Sequence, residues 1–379
     1  MKKSDSKKII FFTPDFIARP IGASEKDSLG SLKNFKDLGY EITLVIFISK
    51  WALKYKKEIF DLEKKVNELK IIEFKKSKLK NRITNIYRLD GFTDQYFNEE
   101  TVSELTEMYG NKYYDLVWLD FTYMWPLKNI FSDSKIIIRS KNFEPLHFIS
   151  ENKKYTINFI KFIPKLLSEI KSVRSSDVFL AITPKERKLY SLFKSKVKLY
   201  PLSYLKNNSY IYKNNKIKNA FFSGGSYNVK HNLYALKYII NEILPILINN
   251  NITLNITGSK IPEHLLNINS EFLIFHGFID EKDFINFYKK MDVNIAPIIS
   301  GHGMQSKIFE PMSLGIPTLT FKEGLRGYNF EEGEDYLEIK KSLSYITQID
   351  KLQMISKKSF EKSREIFKYN FEEICEIRT

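Results

Sequence analysis

The apolar positions of the chain fall into short runs that alternate with longer amphipathic segments. KIIFF at 8–12 predicts a buried strand, residues 25–38 predict a helix ended by Gly39, and EITLVIFI at 41–48 predicts the next strand. This strand–helix–strand order predicts two parallel strands joined by a right-handed crossover. Further strands are predicted at 69–74, 116–119, 136–139, 178–183 and 197–200, and a further helix at 157–170.

The same alternation restarts at residue 220. Strands are predicted at 220–222, 253–257, 272–276, 293–297 and 317–320, with helices at 233–249, 281–290 and 306–314 and a loop at 223–226. Residues 202–218 are rich in Asn, Lys and Tyr and show little periodicity, which indicates a linker. We therefore expect two successive doubly wound α/β domains, with ligands beyond the carboxyl ends of the strands, in the cleft between the domains.

Composition narrows the class of protein. The chain has 379 residues, 43% of them hydrophobic, which is enough for two folded domains and excludes a disordered chain. A single cysteine, Cys375, excludes an intrachain disulfide, and five scattered histidines predict no metal site. The N-terminal apolar run is too short for a signal peptide, and no run approaches the ~20 residues of a membrane span, so we expect a cytoplasmic protein.

The net charge of +15 is concentrated in the first half of the chain. Residues 1–205 contain 38 Lys and Arg against 25 Asp and Glu, whereas the remainder contains 22 against 20. The densest run extends from Lys54 to Arg82. It is either a solvated helix face followed by a loop or a surface that attracts a membrane leaflet, a nucleic acid or an acidic polymer.

The segment from Gly301 to Pro317 carries the clearest chemistry. Its glycines follow a predicted strand and allow close approach to a ligand, and the next helix directs free N–H groups toward that loop. Lys307 lies in the first turn, where a cation opposes the helix dipole unless an anion neutralises both. Glu310 lies one turn further, where a carboxylate suits sugar hydroxyls. The alternative is an exposed Lys–Glu pair on an ordinary helix.

The pattern G-x-G-M-x-x-K-x-x-E-x-M-x-x-G-x-P at 301–317 resembles the donor-binding segment of GT-B glycosyltransferases of the family 4 type. Four other motifs are similar to parts of that family: FSGGS at 222–226 with Asn232, FHGFI at 275–279, MDV at 291–293 and RSKNFE at 139–144. Two longer segments, residues 22–45 and residues 360–377, are similar to it as well. The resemblance implies two Rossmann-like domains facing across a cleft: an acceptor domain at 1–205, a linker at 206–218, a donor domain at 219–355, and a C-terminal helix at 356–379 that returns to the first domain.

The resemblance also implies roles for residues of the donor domain. Glu310 would hold the ribose, and Lys307 with the amides around Gly303, Met304 and Gln305 would hold the diphosphate. The other implied donor contacts are Gly224, Gly225, Ser226, Phe278 and Ile279, with His302, in place of the family's first glutamate, near the sugar. Lys307 and the amides would stabilise the leaving diphosphate, so neither a metal nor a cofactor is expected.

In the first domain, the resemblance implies acceptor contacts at Gly22, Arg139, Asn142 and Glu144. A base would be needed there only if the reaction inverts the anomeric configuration, and Asp15, Asp120, Glu144 and His147 follow strand ends. Asp15 is equally a turn or helix-capping residue, and Arg139 and Asn142 could instead satisfy loop carbonyls.

The expected function is transfer of a sugar, with retention of configuration, from a nucleotide diphosphate sugar to a glycan or lipid-linked glycan. The resemblance places it in bacterial surface polysaccharide, capsule or lipopolysaccharide synthesis, at the inner face of an anionic membrane. Alternatives are an epimerase or phosphorylase of the same fold, an inactive GT-B partner subunit and a basic nucleic-acid-binding protein. The aromatic residues lie in apolar runs and no nucleic-acid motif appears, so we expect no nucleic acid partner.

Overall fold

A computed structural model describes residues 6–75, 79–151, 157–213 and 216–376. The chain divides into two units, residues 1–204 together with 369–379, and residues 205–368. Within the described residues, each unit contains one sheet whose strands are all parallel. The predicted fold class, two Rossmann-like α/β domains, is confirmed.

The sheet of the first unit has the order β3-β2-β1-β4-β5-β6-β7. Its strands are β1 (Lys8–Thr13), β2 (Glu41–Ile48), β3 (Glu68–Glu73), β4 (Leu116–Leu119), β5 (Lys135–Arg139), β6 (Val178–Ala181) and β7 (Val197–Leu199). Its α-helices are α1 (Ala23–Asp37), α2 (Lys56–Glu63), α3 (Leu79–Arg82), α4 (Gly91–Asp94), α5 (Glu99–Tyr109), α6 (Glu144–Glu151), α7 (Ile157–Ser175) and α8 (Pro184–Tyr190). Short 3₁₀ segments lie at Lys50–Lys54, Ile86–Leu89, Gln95–Phe97, Thr122–Ile130 and Ser203–Leu205.

Strand β1 shows why this sheet is buried on both faces. Side chains alternate along a strand, so Ile9 and Phe11 enter one hydrophobic cluster while Ile10 and Phe12 enter another on the opposite face. Both clusters are fully buried around β1. A parallel sheet covered by helices on both faces needs such continuous apolar strands, which is why these runs were recognisable in the sequence.

The sheet of the second unit has the order β10-β9-β8-β11-β12-β13. Its strands are β8 (Asn219–Ser226), β9 (Thr253–Ser259), β10 (Leu273–Gly277), β11 (Val293–Ala296), β12 (Thr318–Thr320) and β13 (Leu337–Glu338). Its helices are α9 (Lys230–Tyr238), α10 (Leu244–Asn249), α11 (Glu263–Leu266), α12 (Glu281–Tyr288), α13 (Ser306–Ser313), α14 (Ile339–Ser342) and α15 (Ile349–Phe367). A π-helical turn spans Ile239–Ile243, and 3₁₀ segments lie at Lys322–Leu325 and Leu343–Thr347.

Two local predictions in this unit differ from the structure. The loop predicted at 223–226 is the end of β8, which continues to Ser226 through a register shift against β9. The helix predicted at 233–249 begins at Lys230 and contains the π-helical turn. Pro245 lacks the N–H that would continue the regular α-helical pattern, and the turn just before it accommodates that loss.

The predicted linker at 206–218 packs as part of the second unit. The Ile211 amide donates to the Leu314 carbonyl (3.0 Å), Asn208 Nδ2 donates to Ser313 Oγ (2.7 Å), and the Tyr210 hydroxyl bonds to Ser356 Oγ (2.7 Å). Hydrophobic periodicity along the chain does not predict side-chain contacts of this kind.

The C-terminal segment divides differently from the predicted helix at 356–379. Helix α15 begins at Ile349 and belongs to the second unit, and only residues from 369 onward belong to the first. There α16 (Phe371–Ile374) presents Phe371 to Phe35 (4.8 Å between ring centroids) and Trp118 (6.2 Å). Residues 377–379 lie outside the described residues.

Candidate active site

The candidate donor site of the second unit lies where β8 and β11 run side by side. This is the point at which the strand order reverses, where parallel sheets bind ligands. The loop that leaves β11 contains Gly301 and Gly303, whose φ angles are +89° and +70°. Residues other than glycine rarely adopt this left-handed conformation, so the backbone path into α13 depends on both glycines.

The end of β8 is equally restricted. A Cβ atom on Gly224 would lie 2.3 Å from the Tyr227 ring, so only glycine fits there. Gly225 has a φ of +68°. Asn232 on α9 then ties this segment to α13: its Nδ2 donates to the Ser226 carbonyl (2.9 Å), and its Oδ1 accepts a hydrogen bond from Lys307 Nζ (2.5 Å).

Helix α13 starts at Ser306 without a side-chain cap and passes through Pro311. Pro311 cannot donate to the Lys307 carbonyl one turn earlier. Instead, Asn294 Nδ2 of β11 donates to that carbonyl (2.9 Å). The proline after Glu310 therefore does not end the helix, and the carbonyl it leaves free anchors the helix to β11.

Lys307 does not pair with Glu310. Among the described residues its Nζ bonds to Asn232 and forms no ion pair with a carboxylate. Burial and the positive charge of Arg326 lower the pKa of Lys307 to about 8. The alternative of an exposed Lys–Glu pair is therefore not what the structure contains.

Arg326 and His231 are residues that the sequence analysis missed. Arg326 is 7% exposed, has a φ of +54° and donates from Nη2 to the Ser300 carbonyl (2.6 Å). A Cβ atom on Gly301 would lie 3.7 Å from Arg326 Nη2 and 3.6 Å from His231 Nδ1. A left-handed conformation in a residue other than glycine marks strain that often occurs at functional sites. Neither residue has a local motif, because only folding brings it to Gly301.

The remaining predicted donor residues occupy the same edge of the sheet or lie close in the chain to it. Gln305 Nε2 donates to the His302 carbonyl (3.0 Å), which closes the turn before α13, and Met304 is buried. Phe278 follows β10 and is 46% exposed, whereas Ile279 packs on the Phe221 cluster.

In the first unit, Asp15 and Asp120 follow the adjacent strands β1 and β4. Ser24 Oγ donates to Asp15 Oδ2 (2.6 Å). The Ser28 hydroxyl lies within hydrogen-bond distance of both carboxyl groups, 2.7 Å from Asp15 Oδ2 and close to Asp120 Oδ2. Burial raises the pKa of both carboxyls, that of Asp120 to about 6, against the opposing charge of Lys141. This pair therefore binds a proton at a higher pH than ordinary carboxyl groups do.

Two predicted acceptor residues have structural partners. Arg139 is fully buried and donates to Asp27 (3.0 Å) and to the Pro201 carbonyl (3.2 Å), so its guanidinium is not available to an acceptor. The Gly22 amide donates to Glu25 Oε2 (2.9 Å) at the start of α1, which makes Gly22 a helix-capping position.

Asn142 and Glu144 instead line a cavity of about 390 Å³ in the first unit. The other lining residues are Phe92, Phe121, Tyr123, His147, Phe148 and Lys165. Tyr123 stacks on Phe121 (5.1 Å) and Phe92 (5.5 Å). Burial raises the pKa of Glu144 against the opposing influence of His147 and Lys165. The cavity thus combines aromatic faces with a few polar groups, as small-molecule sites do.

A second cavity, of about 580 Å³, lies in the second unit beside His231 and Ser300. Tyr234, Tyr238 and Phe321 form its apolar wall. Lys307 and Glu310 do not line it, so it borders the predicted diphosphate site without coinciding with it.

Two parallel doubly wound units, with a glycine-rich turn leading into the helix that carries Lys307 and Glu310, are the features by which the sequence resembles GT-B glycosyltransferases. Residues 218–352 match the family model described as "Glycosyl transferases group 1". The resemblance noted in the sequence is therefore confirmed over residues 218–352, which are similar to that family. The solved structures described next show the GT-B fold for the chain. No curated protein matches the chain.

Solved structures similar to the chain include a sugar-phosphate synthase and two proteins in complex with UDP. Sucrose-phosphate synthase from Thermosynechococcus elongatus is 13% identical over 97% of this chain and 96% of its own, with a TM-score of 0.66. A point mutant of S. aureus TarM, in complex with fondaparinux, α-GlcNAc-glycerol and UDP, is 13% identical over 98% of each chain (TM-score 0.62). Anabaena Alr3699/HepE, in complex with UDP and glucose, is 13% identical over 98% and 97% (TM-score 0.61). At such identities the likeness shows the fold.

No helix among the described residues combines the length and the apolar character that a membrane span requires. No group of three His, Cys, Asp or Glu side chains in that part of the chain is arranged to hold a metal ion. Independence from metals and cofactors stays a prediction.

Proposed function

We propose that this glycosyltransferase moves a sugar from a nucleoside diphosphate sugar to a hydroxyl group of a glycan or lipid-linked glycan. The observation that carries the donor assignment is Lys307, whose ammonium bonds to Asn232 and has no carboxylate partner in the described structure. Arg326 adds a second positive charge beside it. A cation withdrawn from water needs a counter-charge, and a diphosphate would supply one for Lys307.

The other donor groups follow from the placement of α13. Its uncapped N–H groups and the turn at Gly303 would bind phosphate oxygens, as helix N-termini do. Glu310 would accept hydrogen bonds from the ribose hydroxyls, and Phe278 and Ile279 would flank the base. The structures of TarM and HepE contain UDP, which makes uridine the first base to test.

The reaction would break the bond between the anomeric carbon and the diphosphate oxygen and form a bond to the acceptor oxygen. Lys307 and Arg326 would stabilise the charge that develops on the departing diphosphate. We favour retention of configuration, in which the acceptor proton passes to that diphosphate. In an inverting reaction Asp15, held by Ser24 and Ser28, would be the base.

The cavity lined by Asn142 and Glu144 would bind a saccharide ring of the acceptor. Sugar rings present C–H groups to aromatic faces such as those of Phe121 and Tyr123, and hydroxyls to carboxylates and amides. We place the reaction in bacterial surface polysaccharide, capsule or lipopolysaccharide synthesis, in the cytoplasm at the inner face of the membrane. The proposal includes no nucleic acid partner.

The experiment is a thermal-shift and turnover panel with UDP-glucose, UDP-N-acetylglucosamine, GDP-mannose and dTDP-glucose. A donor that binds only the folded chain raises the melting temperature as its concentration exceeds Kd. We expect Lys307→Met to abolish that shift and lower transfer by ~10²–10³-fold, because one charge-stabilising group is lost. Lys237→Met, at an exposed lysine of the same unit, is the matched control and should behave like the parent.

The products separate the remaining alternatives. Release of the nucleoside diphosphate with a new glycoside supports transfer, whereas conversion of the donor sugar without release would identify an epimerase. A chain that binds no nucleotide sugar in this panel, or a Lys307→Met variant that binds as well as the parent, would contradict the donor assignment.

A further inference from the structure

The segment that follows β2 exposes large apolar side chains among lysines. Trp51 is 55% exposed, Leu53 45% and Phe60 55%. We call the outward side chains of residues 50–65 the basic apolar patch: Lys50, Trp51, Leu53, Lys54, Lys56, Lys57, Phe60, Lys64 and Lys65. Exposed apolar side chains scattered singly are usual on a protein surface, whereas three within one short segment point to a contact site.

The fold positions these side chains firmly. Ala52 and Leu62 face inward and are buried, which leaves Phe60 and its lysine neighbours on the outer side of the 3₁₀ turn and α2. The Trp51 ring meets the edges of Phe16 (5.8 Å) and Tyr55 (6.0 Å), so one part of it is held while the rest faces outward. The exposed aromatic surface is therefore presented by a packed scaffold.

The lysines of the patch are largely free of counter-charges. Residues 50–65 contain six lysines, whereas the acidic residues there are Glu58, Asp61 and Glu63. Lys50 and Lys64 each lie close to 4 Å from an exposed carboxylate, a weak arrangement. Lys54, Lys56 and Lys57 form no ion pair within the described ranges, so their charge is available to a partner.

The segment that follows the neighbouring strand β3 also exposes apolar side chains. Residues after β3, which pairs with β2, expose Ile83 (71%), Ile86 (46%) and Leu89 (49%). Both strands run in the same direction, so the segments that follow them leave the same edge. Lys76 and Lys78 of the predicted basic run lie outside the described residues.

We propose that the basic apolar patch docks the protein on an anionic lipid surface. Lysines are attracted to anionic headgroups, while Trp, Phe and Leu side chains enter the boundary between headgroups and acyl chains. A nucleic acid or an acidic polymer would use the lysines but would leave the aliphatic Leu53 unused. The inference deepens the proposed function, since a lipid-linked acceptor lies at such a surface, but the binding itself requires no donor.

The test is co-sedimentation of the full chain with vesicles of phosphatidylcholine alone or with 30–40% phosphatidylglycerol (about the anionic content that makes a surface strongly negative), in the absence of nucleotide sugar. We expect binding to the anionic vesicles only, weakened by salt. Trp51→Ala with Phe60→Ala should lower the partition coefficient by about tenfold or more, because two membrane-facing rings are lost. Lys56→Gln with Lys57→Gln should lower it by roughly 25-fold, about fivefold for each lysine.

The controls use exposed residues of the same unit outside the patch. Leu192→Ala, at a side chain that is 75% exposed, and Lys185→Gln with Lys188→Gln on α8 should bind as the parent does. Unchanged melting temperatures would show that each variant folds.

Three outcomes would overturn the proposal: no binding to anionic vesicles, equal loss in the α8 variants, or binding in which Trp51 and Phe60 contribute nothing and duplex DNA or heparin competes fully. The last would identify a polyanion site. Thermal shifts with UDP-sugars without vesicles report separately on the proposed transferase function, so the two can fail independently.

Discussion

Two regions of this molecule each contain two neighbouring cationic side chains, and the two regions differ in the charges that surround them. In the first unit Arg139 and Lys141 both bond to Asp27, at 3.0 and 2.7 Å, with Asp120 also within ion-pair distance of Lys141 (3.5 Å). In the second unit Lys307 bonds to the neutral amide of Asn232 and lies beside a second cation, Arg326. One pair has its counter-charges within the fold, and Lys307 has none among the described residues.

The pKa directions express this difference. The carboxylates around Lys141 raise its pKa above the usual lysine value despite burial, and the two cations lower that of Asp27 despite its own burial. The pKa of Lys307 is instead lowered, to about 8, because burial and the charge of Arg326 both disfavour its protonated form. A satisfied buried cluster supports a structural role, whereas an unsatisfied cation supports a ligand site.

The largest expected effect breaks the first cluster. Asp27→Asn keeps the side-chain shape but leaves Arg139 buried without its carboxylate, and we expect it to lower the free energy of unfolding by about 3–5 kcal/mol. Urea denaturation measures this loss. Asp37→Asn, at an exposed position of the same helix, should change it by less than about 0.5 kcal/mol.

Urea denaturation of Lys307→Met should give the opposite result. Because this variant removes a buried charge that has no carboxylate partner, its free energy of unfolding should equal that of the parent or be slightly higher. Should Lys307→Met destabilise the unliganded chain as strongly as Asp27→Asn, Lys307 would be a structural residue and the contrast between the regions would be wrong.

A smaller effect is expected for Glu310→Gln. The amide can accept one hydrogen bond from the ribose but lacks the charge, so we expect donor affinity to fall by about 10–100-fold, the range for hydrogen bonds to a charged group. Titration calorimetry with the donor that gives the greatest thermal shift provides the measurement. Glu271→Gln, at an exposed residue before β10, is the control, and equal losses in both variants would argue against a ribose contact.

The smallest effect is a pH dependence of donor affinity. Lys307 has a pKa of about 8 without ligand, and a diphosphate favours its protonated form, so affinity should fall by up to about tenfold per pH unit above that pKa. Well below that pKa, Lys307 is already protonated and contributes no further change. Calorimetry near the pKa in buffers of different ionisation enthalpy should show proton uptake on binding, which Lys307→Met should lose. Uptake that persists in that variant would assign the proton to another group.

Much of the fold could be predicted from the sequence because its signal is local. Strands β2 and β4 coincide with the predicted ranges, since buried parallel strands are continuous apolar runs. The helix with Lys307 and Glu310 was also predictable, because glycines, a first-turn lysine and Gly315 lie within one short segment. Helix α5 was not predicted although its signal is local, since Asn98 caps its start and Leu105 and Tyr109 lie on its buried face. The π-helical turn before Pro245 was not predicted because a local backbone adjustment leaves little trace in the sequence.

The alternation of strands and helices and the residues of the turn into α13 depend on neighbours along the chain, so sequence patterns are enough to predict them. Which charges are neutralised depends on residues that only folding brings together. Asp27 meets Arg139 across 112 positions, Asn232 meets Lys307 across 75, and Arg326 reaches Gly301 from beyond the next strand. Arg139 and Lys307 have equal charge in the sequence, and the position of a carboxylate in space makes one structural and leaves the other open to a ligand.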